Sequence, residues 1–537
     1  MKTILTVVSM LGEGVETNSA TRLFGDAPVL ASTLRGITDA ALAGNTVILC
    51  WSEQTRAIEP FSRNLGAEIL AIGPFVELPN LQAIAAARRW SDGWRCGPLG
   101  VSAFDSGFLG PAIRDAADHF AADAVLLVDP AAALVDPQLI SGVAARWQGN
   151  PELDFTFTPA ATGLGALLLA RPLLDRLVAA NAHPGKLLAY FPDQVSREPT
   201  SGDGCVPVAT PAARSVHRFT LGSQRQMEKL ATADRRRSRT ACDSAESVAS
   251  LLNNANPLDR LPRDVTLELT TRRNSKPIFS PLAAGPIDRA DLPFEEAIQL
   301  IDELAELDEA RLTLAGVGDP LLHPRVIDII SHAASCGVAV NVESDLLASD
   351  PALIAALASS PADVISVHLP ALADATYQRI MGVDGYRQAI SNIQLLVATR
   401  AATGRGTPLV IPLFTKCREN LAEMEPWYDQ WLRAVGSAAI IGPTTFGGLI
   451  PDVSAADMTP PRRVPCRRLR DRLTVLSDGS YVTCEQDVLG QQSLGRVGID
   501  PLQNVWRAKC DAVRNCHRDG RWNELPLCAR CKEWHRP

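Results

Sequence analysis

The feature that most constrains this chain is a repeated switch between short apolar runs and amphipathic helical stretches, which occurs in two separate series. In the first, apolar segments at residues 3–9, 46–52, 67–73, 124–129 and 153–159 are spaced by helical patterns such as 29–43 and 54–65. In the second, segments 265–270, 311–316, 338–344, 363–369, 408–416 and 438–442 alternate with helical patterns at 294–307, 323–337, 351–359, 375–399 and 422–435. A strand that is apolar on both faces must be covered on both faces. Crossover helices provide that cover, so each series predicts a mostly parallel sheet in an α/β domain. Six strands with five intervening helices fit an open sheet or a (β/α)6 partial barrel.

Between the series, residues 221–264 turn to charged and small residues and end in NNANPLDRLPRD, the composition of a linker. After about Pro460 the alternation stops, and the rest of the chain is short, rich in Arg and Cys, and poor in long apolar runs. A domain that small commonly needs a staple such as a metal. The expected organisation is a first α/β domain over 1–225, a linker over 226–262, a second α/β domain over 263–458 and a Cys-rich domain over 459–537. The hydrophobic content of 46% supports packed cores rather than disorder.

The net charge of −8 argues against nucleic acid as a partner, because phosphate affinity comes from clustered Lys and Arg. Two basic runs, Arg235-Arg236-Arg237 and 462–472, flank the expected junctions and read as solvated surface. The opening MKTILTVVSML is broken by Thr and Ser and lacks an A-x-A site, so it reads as a buried strand rather than a secretory signal. No run of 18 apolar residues occurs, and no membrane span is expected. Twelve cysteines without such a signal point to a reducing, cytoplasmic setting.

Six of those twelve cysteines lie in the last 72 residues. Cys528-Ala529-Arg530-Cys531 is a knuckle that lets two thiolates converge on one metal. Upstream, the turn at Asp478-Gly479 brings Cys484 back toward Cys466. Four thiolates fit either an iron–sulfur cluster or zinc. Cys510 and Cys516 fall on a predicted helix after Trp506 and read as spare thiols. His323 is read as a helix start, and His517 and His535 as surface residues.

The segment Cys466…Asp478-Gly479…Cys484…Leu494-Gly495…Trp506…Cys528-x2-Cys531 resembles the shortened auxiliary-cluster domain, of SPASM or twitch type, of radical S-adenosylmethionine enzymes. The resemblance implies one auxiliary 4Fe–4S cluster on Cys466, Cys484, Cys528 and Cys531, and favours iron–sulfur over zinc. The second α/β series is similar to the barrel of the same enzymes. There a first strand like Val265–Leu269 is followed by C-x3-C-x2-C, the ligands of the cluster that cleaves the cofactor. Here Arg273, Pro277 and Ser280 stand at those places, and none ligates iron as a thiolate does. Gly316, Gly318, Asp319 and Pro320 resemble the glycine-rich second-strand motif, and Ser344 and Ser366 the polar residues of the third and fourth strands. Those six positions imply S-adenosylmethionine as a ligand. The missing thiolates imply that no 5′-deoxyadenosyl radical forms, and Cys336 and Cys417 lie outside the loop that could restore them.

In the first domain, Val125–Pro130 resembles the metal-site strand of cytidylyl- and other nucleotidyltransferases (a GT-A-like fold), with Asp129 in the place of the Mg²⁺ ligand. Ser19–Leu30 resembles their triphosphate loop. The resemblance implies a nucleotide or sugar nucleotide, but Asp26 replaces a usual Lys, and Gly222 and Gln226 stand where a second acid is usual. The expectation is a radical-SAM/SPASM-like protein that makes no radical. Its auxiliary cluster is then structural or electron-transferring, and its barrel takes a ligand or a protein partner such as a complete radical SAM enzyme. The rivals are an active nucleotidyl- or sugar-transfer enzyme working through the first domain, and a zinc-stabilised scaffold.

Overall fold

The computed structural model describes residues 2–233 and 244–536. The chain divides into two compact units, Met1–Pro257 and Leu258–Pro537. Both are α/β. The basic run Arg235-Arg236-Arg237 lies outside the described residues.

The first unit is built on six strands: β1 Ile4–Ser9, β2 Thr46–Cys50, β3 Ala67–Ala71, β4 Ala124–Val128, β5 Phe155–Phe157 and β6 Leu167–Ala170. Their order is β3-β2-β1-β4-β6-β5. The first four are parallel to one another, and β6 runs antiparallel to β4 and β5. Side chains alternate across a strand, and the cores follow that period. Ile4 and Val8 of β1 join Ala124, Leu126 and Val128 of β4 in one cluster, while Leu5, Val7, Val125 and Leu127 join the cluster on the opposite face.

The stretch read as a linker is partly folded. Helix Ala245–Ala255 is capped by Ser244, whose hydroxyl accepts from the Ser247 amide at 3.3 Å. It buries Ala245, Val248, Ala249 and Leu252 against Val29, Ala131 and Phe219. The spacing of those four residues is i, i+3, i+4, i+7, one helical face.

The second unit holds β7 Asp264–Leu267, β8 Arg311–Leu314, β9 Ala339–Ser344, β10 Val364–His368, β11 Leu409–Thr415 and β12 Ala439–Ile441. These six are parallel and lie in the sheet in chain order, as in a (β/α)6 partial barrel. Two helices depart from expectation. The pattern at 375–399 forms two helices, Asp374–Met381 and Tyr386–Ala402, because Gly382 adopts φ 67° and ends the first. The helix expected from His323 begins at Val326. His323 is buried instead, with its Nε2 3.1 Å from the Leu292 carbonyl and its Nδ1 accepting from the Arg325 amide.

The larger difference is in the tail. β13 Arg472–Val475 adds to the free side of β7, in parallel, with Arg472 opposite Asp264 and Val475 opposite Leu267. β14 Ser480–Val482 and β15 Gly495–Arg496 are antiparallel additions that complete nine strands. Leu473, Val475, Tyr481, Leu502 and Trp506 sit in the same core cluster as the six-strand sheet. These residues share the core of the sheet, which supplements their small apolar content. No helix among the described residues is long and apolar enough to cross a membrane.

Candidate metal centre

Cys466, Cys484, Cys528 and Cys531 all line one pocket of the second unit, together with Arg463, Arg468, Gln486, His517 and Glu533. Its elements converge from three directions. Cys466 precedes the short helix Arg468–Asp471 that leads into β13, Cys484 comes after β14, and the knuckle closes the helix Pro526–Arg530. Three of the four sulfurs receive amides from the residue two positions on. The Glu533 amide reaches Cys531 Sγ at 3.3 Å, the Gln486 amide reaches Cys484, and the Arg468 and Leu469 amides reach Cys466. Such donors stabilise a thiolate more than a thiol.

Burial disfavours the thiolate at all four positions. Burial and then the neighbouring Cys531 and Cys466 push Cys528 up to about 12. Burial likewise raises Cys466, Cys484 and Cys531. A bound metal group reverses that order, because deprotonated sulfur is then paired with positive charge. Among the described residues, no three of these cysteines bring their sulfurs within 4.8 Å of one another.

Two residues of the pocket wall differ from expectation. His517, expected on the surface, is 2% exposed, and its Nδ1 accepts from the Cys466 amide at 3.3 Å. Burial, with Arg463 nearby, lowers it to about 4, so the ring is the neutral acceptor. Arg468 belongs to the basic run expected in solvent, yet it pairs with Glu485 at 2.5 Å and faces Glu533 at 3.9 Å. Gln486 then donates to Glu533 at 3.2 Å, tying the residues after Cys484 and Cys531 together. His535 is half-buried. Cys510 packs in the core and Cys516 lies on the same helix; neither lines the pocket.

A second, small pocket lies at the ends of β8, β9 and β10 and is lined by Arg273, Gly316, Gly318, Asp319, Glu343, Ser344, Asp345 and His368. Of the six positions read as a ligand loop, Gly316, Gly318, Asp319 and Ser344 come together here. Pro320 and Ser366 do not line the pocket: Pro320 opens a 3-10 turn, and Ser366 Oγ lies 2.9 Å from Asn341 Oδ1. The two glycines have local reasons to be glycine. A Cβ on Gly316 would come within 2.6 Å of the Glu268 side chain, and one on Gly318 within 2.2 Å of the Thr270 carbonyl.

Arg273 dominates this pocket. Its guanidinium meets Asp345 through two nitrogens, Nε at 2.8 Å and Nη2 at 2.5 Å, and Ser275 Oγ donates to the same carboxylate. Burial alone would raise Asp345, but Arg273 outweighs it and holds the group below its ordinary value. Asp319 moves the other way, to about 6, because it is buried and faces the Asp345 charge. It accepts from Ser344 Oγ at 2.9 Å and from the Asp345 amide at 3.0 Å. Pro277 and Ser280 are spent on a turn: the Pro277 carbonyl accepts the Ser280 amide, and Ser280 Oγ caps the next 3-10 turn. No sequence signal marked Arg273 and Asp345 as partners. Nor did any mark Glu268, which accepts from the Val317 and Ser477 amides and pairs with Arg289.

In the first unit, Asp129 lines a pocket with Ser9, Ser106, Gly163 and Gly165, and its Oδ1 accepts the Ala131 amide at 2.8 Å. Burial raises it. Gly222 and Gln226 bring no second carboxylate. The nearby acid is Glu13, which burial, together with the charges of Asp129 and Glu16, raises to about 7. Among the described residues Asp129 belongs to no set of three metal-competent groups, so magnesium there gains no support.

Residues 466–532 match the SPASM family, described as an iron–sulfur cluster-binding domain. An uncharacterized protein of Treponema pallidum (strain Nichols) is 26% identical over 314 residues, which is 54% of this chain and 84% of that protein. Among solved structures, Streptococcus suis SuiB bound to the precursor peptide SuiA matches 57% of this chain and 81% of its own at 12% identity and a TM-score of 0.40. BtrN in complex with AdoMet and 2-DOIA matches 50% and 93% at 14% and 0.34. A cytidylyltransferase from Leptospira borgpetersenii matches 47% and 94% at 14% and 0.33.

Proposed function

We propose that this chain, whose residues 466–532 form a SPASM iron–sulfur domain, holds one auxiliary 4Fe–4S cluster on Cys466, Cys484, Cys528 and Cys531 beside a radical-SAM-like sheet that generates no radical. The observation that carries this reading is the pairing of Arg273 with Asp345. The first position of the absent C-x3-C-x2-C set is filled by a cation already engaged, with only 8% of its side chain exposed. A cluster there would have to displace a buried ion pair and would find no thiolate.

The cysteine pocket supports the other half. Its four cysteines line one pocket within the SPASM match, and amide donors serve three of the sulfurs, which suits thiolates binding an iron–sulfur cluster. Such a cluster, when bound, accepts and releases one electron. The chain's own residues set its surroundings: the amides of Glu533, Gln486, Arg468 and Leu469 stabilise negative sulfur, and neutral His517 holds the Cys466 backbone. The carboxyl pocket at Asp319 and Asp345 then serves for a ligand or for docking a partner, including a complete radical SAM enzyme. Site residues Gly316, Gly318, Asp319 and Ser344 remain the candidates for S-adenosylmethionine contact.

Reduced, cluster-loaded protein incubated with S-adenosylmethionine is expected to give no 5′-deoxyadenosine above background by chromatography. Product that depends on the protein overturns the assignment at Arg273, Pro277 and Ser280.

A further inference from the structure

We infer that the second unit carries a separate site for a single divalent transition ion, Zn²⁺ being the natural occupant, formed by Asp302, His332 and Cys336. Asp302 lies on helix Phe294–Ala305; His332 is on helix Val326–Ser335 and Cys336 is the residue that closes it. His332 and Cys336 are four residues apart, which places both on one face of the helix and toward the same neighbour. Their ligand atoms and a carboxylate oxygen of Asp302 all lie within 4.8 Å of one another, the one such group among the described residues.

The separations are those of a metal site with little adjustment. Zinc bonds of about 2.0–2.3 Å in tetrahedral geometry put N and S about 3.6 Å apart, O and S about 3.6 Å, and N and O about 3.3 Å. Here His332 Nε2 to Cys336 Sγ is 3.6 Å and Cys336 Sγ to Asp302 Oδ1 is 3.8 Å. The third edge, His332 Nε2 to Asp302 Oδ1, is 2.7 Å, a hydrogen bond that the ion replaces by opening roughly 0.6 Å. That opening is cheap, because the Asp302 side chain is 57% exposed and His332 31%.

The donor set also selects the ion. Thiolate and imidazole suit zinc, copper, nickel and iron, whereas magnesium and calcium take oxygen. A carboxylate and a thiolate together carry two negative charges, which a divalent ion neutralises and a monovalent one does not. Three protein ligands leave a fourth position open to water or to a donor from outside. The simpler use of these groups is a His–Asp bridge between two helices, and the test separates the two.

Cluster-loaded full-length protein is dialysed anaerobically against Zn²⁺, and zinc and iron are counted in the same sample. About one zinc per chain is expected in the wild type, with roughly tenfold or weaker binding in His332→Ala and Cys336→Ser and unchanged iron in all three. Zn²⁺ should also slow alkylation of Cys336, but not in Asp302→Ala. Zinc uptake that persists in the double variant, zinc bound only as iron is lost, or Cys336 alkylated equally fast with and without Zn²⁺ would each overturn the site. The alkylation of Cys336 reads this site whatever the four-cysteine pocket holds.

Discussion

Two pockets of the second unit gather buried groups that are costly to ionise, and each is balanced differently. Around Cys466, Cys484, Cys528 and Cys531 the charged side chains are already matched, Arg468 with Glu485 and Glu533. Arg463 and Arg468 lie near the sulfurs but do not offset burial, which raises all four thiols. Around Asp345 the chain supplies the cation itself, as Arg273. The first pocket therefore leaves its thiols for an external metal group, and in the second the Asp345 carboxylate is already paired with Arg273. Isolated ions in a protein interior cost several kcal/mol each, so a buried acid or thiol cluster must be answered by one device or the other.

The largest effect expected from this contrast is at the first pocket. Cys528→Ser or Cys484→Ser should lose the iron altogether, because binding and local order are coupled. β13 should keep its amide protection from hydrogen exchange, since it is held by β7 and not by metal. Exchange that opens β13 together with the cysteine loop would mean that the metal, not the sheet, holds the tail.

Arg273→Ala comes next. It should destabilise the second unit by about 3–5 kcal/mol, the cost of leaving a buried carboxylate unpaired. Asp345 sits below its ordinary value in the fold, so its contribution is present above pH ~4 and lost as pH falls through that range. Urea titrations of wild type and variant should therefore converge toward low pH. A gap that stays constant with pH would argue that Arg273 acts by packing alone.

The smallest effect belongs to Glu13, a half-buried acid of the first unit. Its folded value of about 7 lies above the usual carboxyl range, so its stabilising share is complete near pH ~4 and is lost as pH rises through 7. Glu13→Gln should raise stability by roughly 2 kcal/mol at about pH 8 and by almost nothing at about pH 5. Equal melting shifts at both pH values would contradict this.

Much of the architecture was legible because apolar runs and turns are local signals. The six parallel strands of the second sheet stand where the apolar runs placed them, and the four cysteines line one pocket. What stayed hidden was long-range. Asp345 lies 72 residues from Arg273, and no local pattern joins a basic residue to one acid among sixty. β13 is only four residues, RLTV, and its partner strand is roughly two hundred residues earlier, so nothing nearby announces that the tail extends the sheet. His517 reads as polar on a charged helix and becomes buried only because that helix turns its face to Cys466. Helix Ala245–Ala255, by contrast, did carry a readable apolar face, obscured by the charged and small residues around it.

Elemental analysis of anaerobically prepared full-length protein tests the central claim most directly. About four iron and four sulfide per chain, absent from the Cys528→Ser variant, is the predicted result. One zinc held by these same four cysteines, with neither iron nor sulfide, would contradict it.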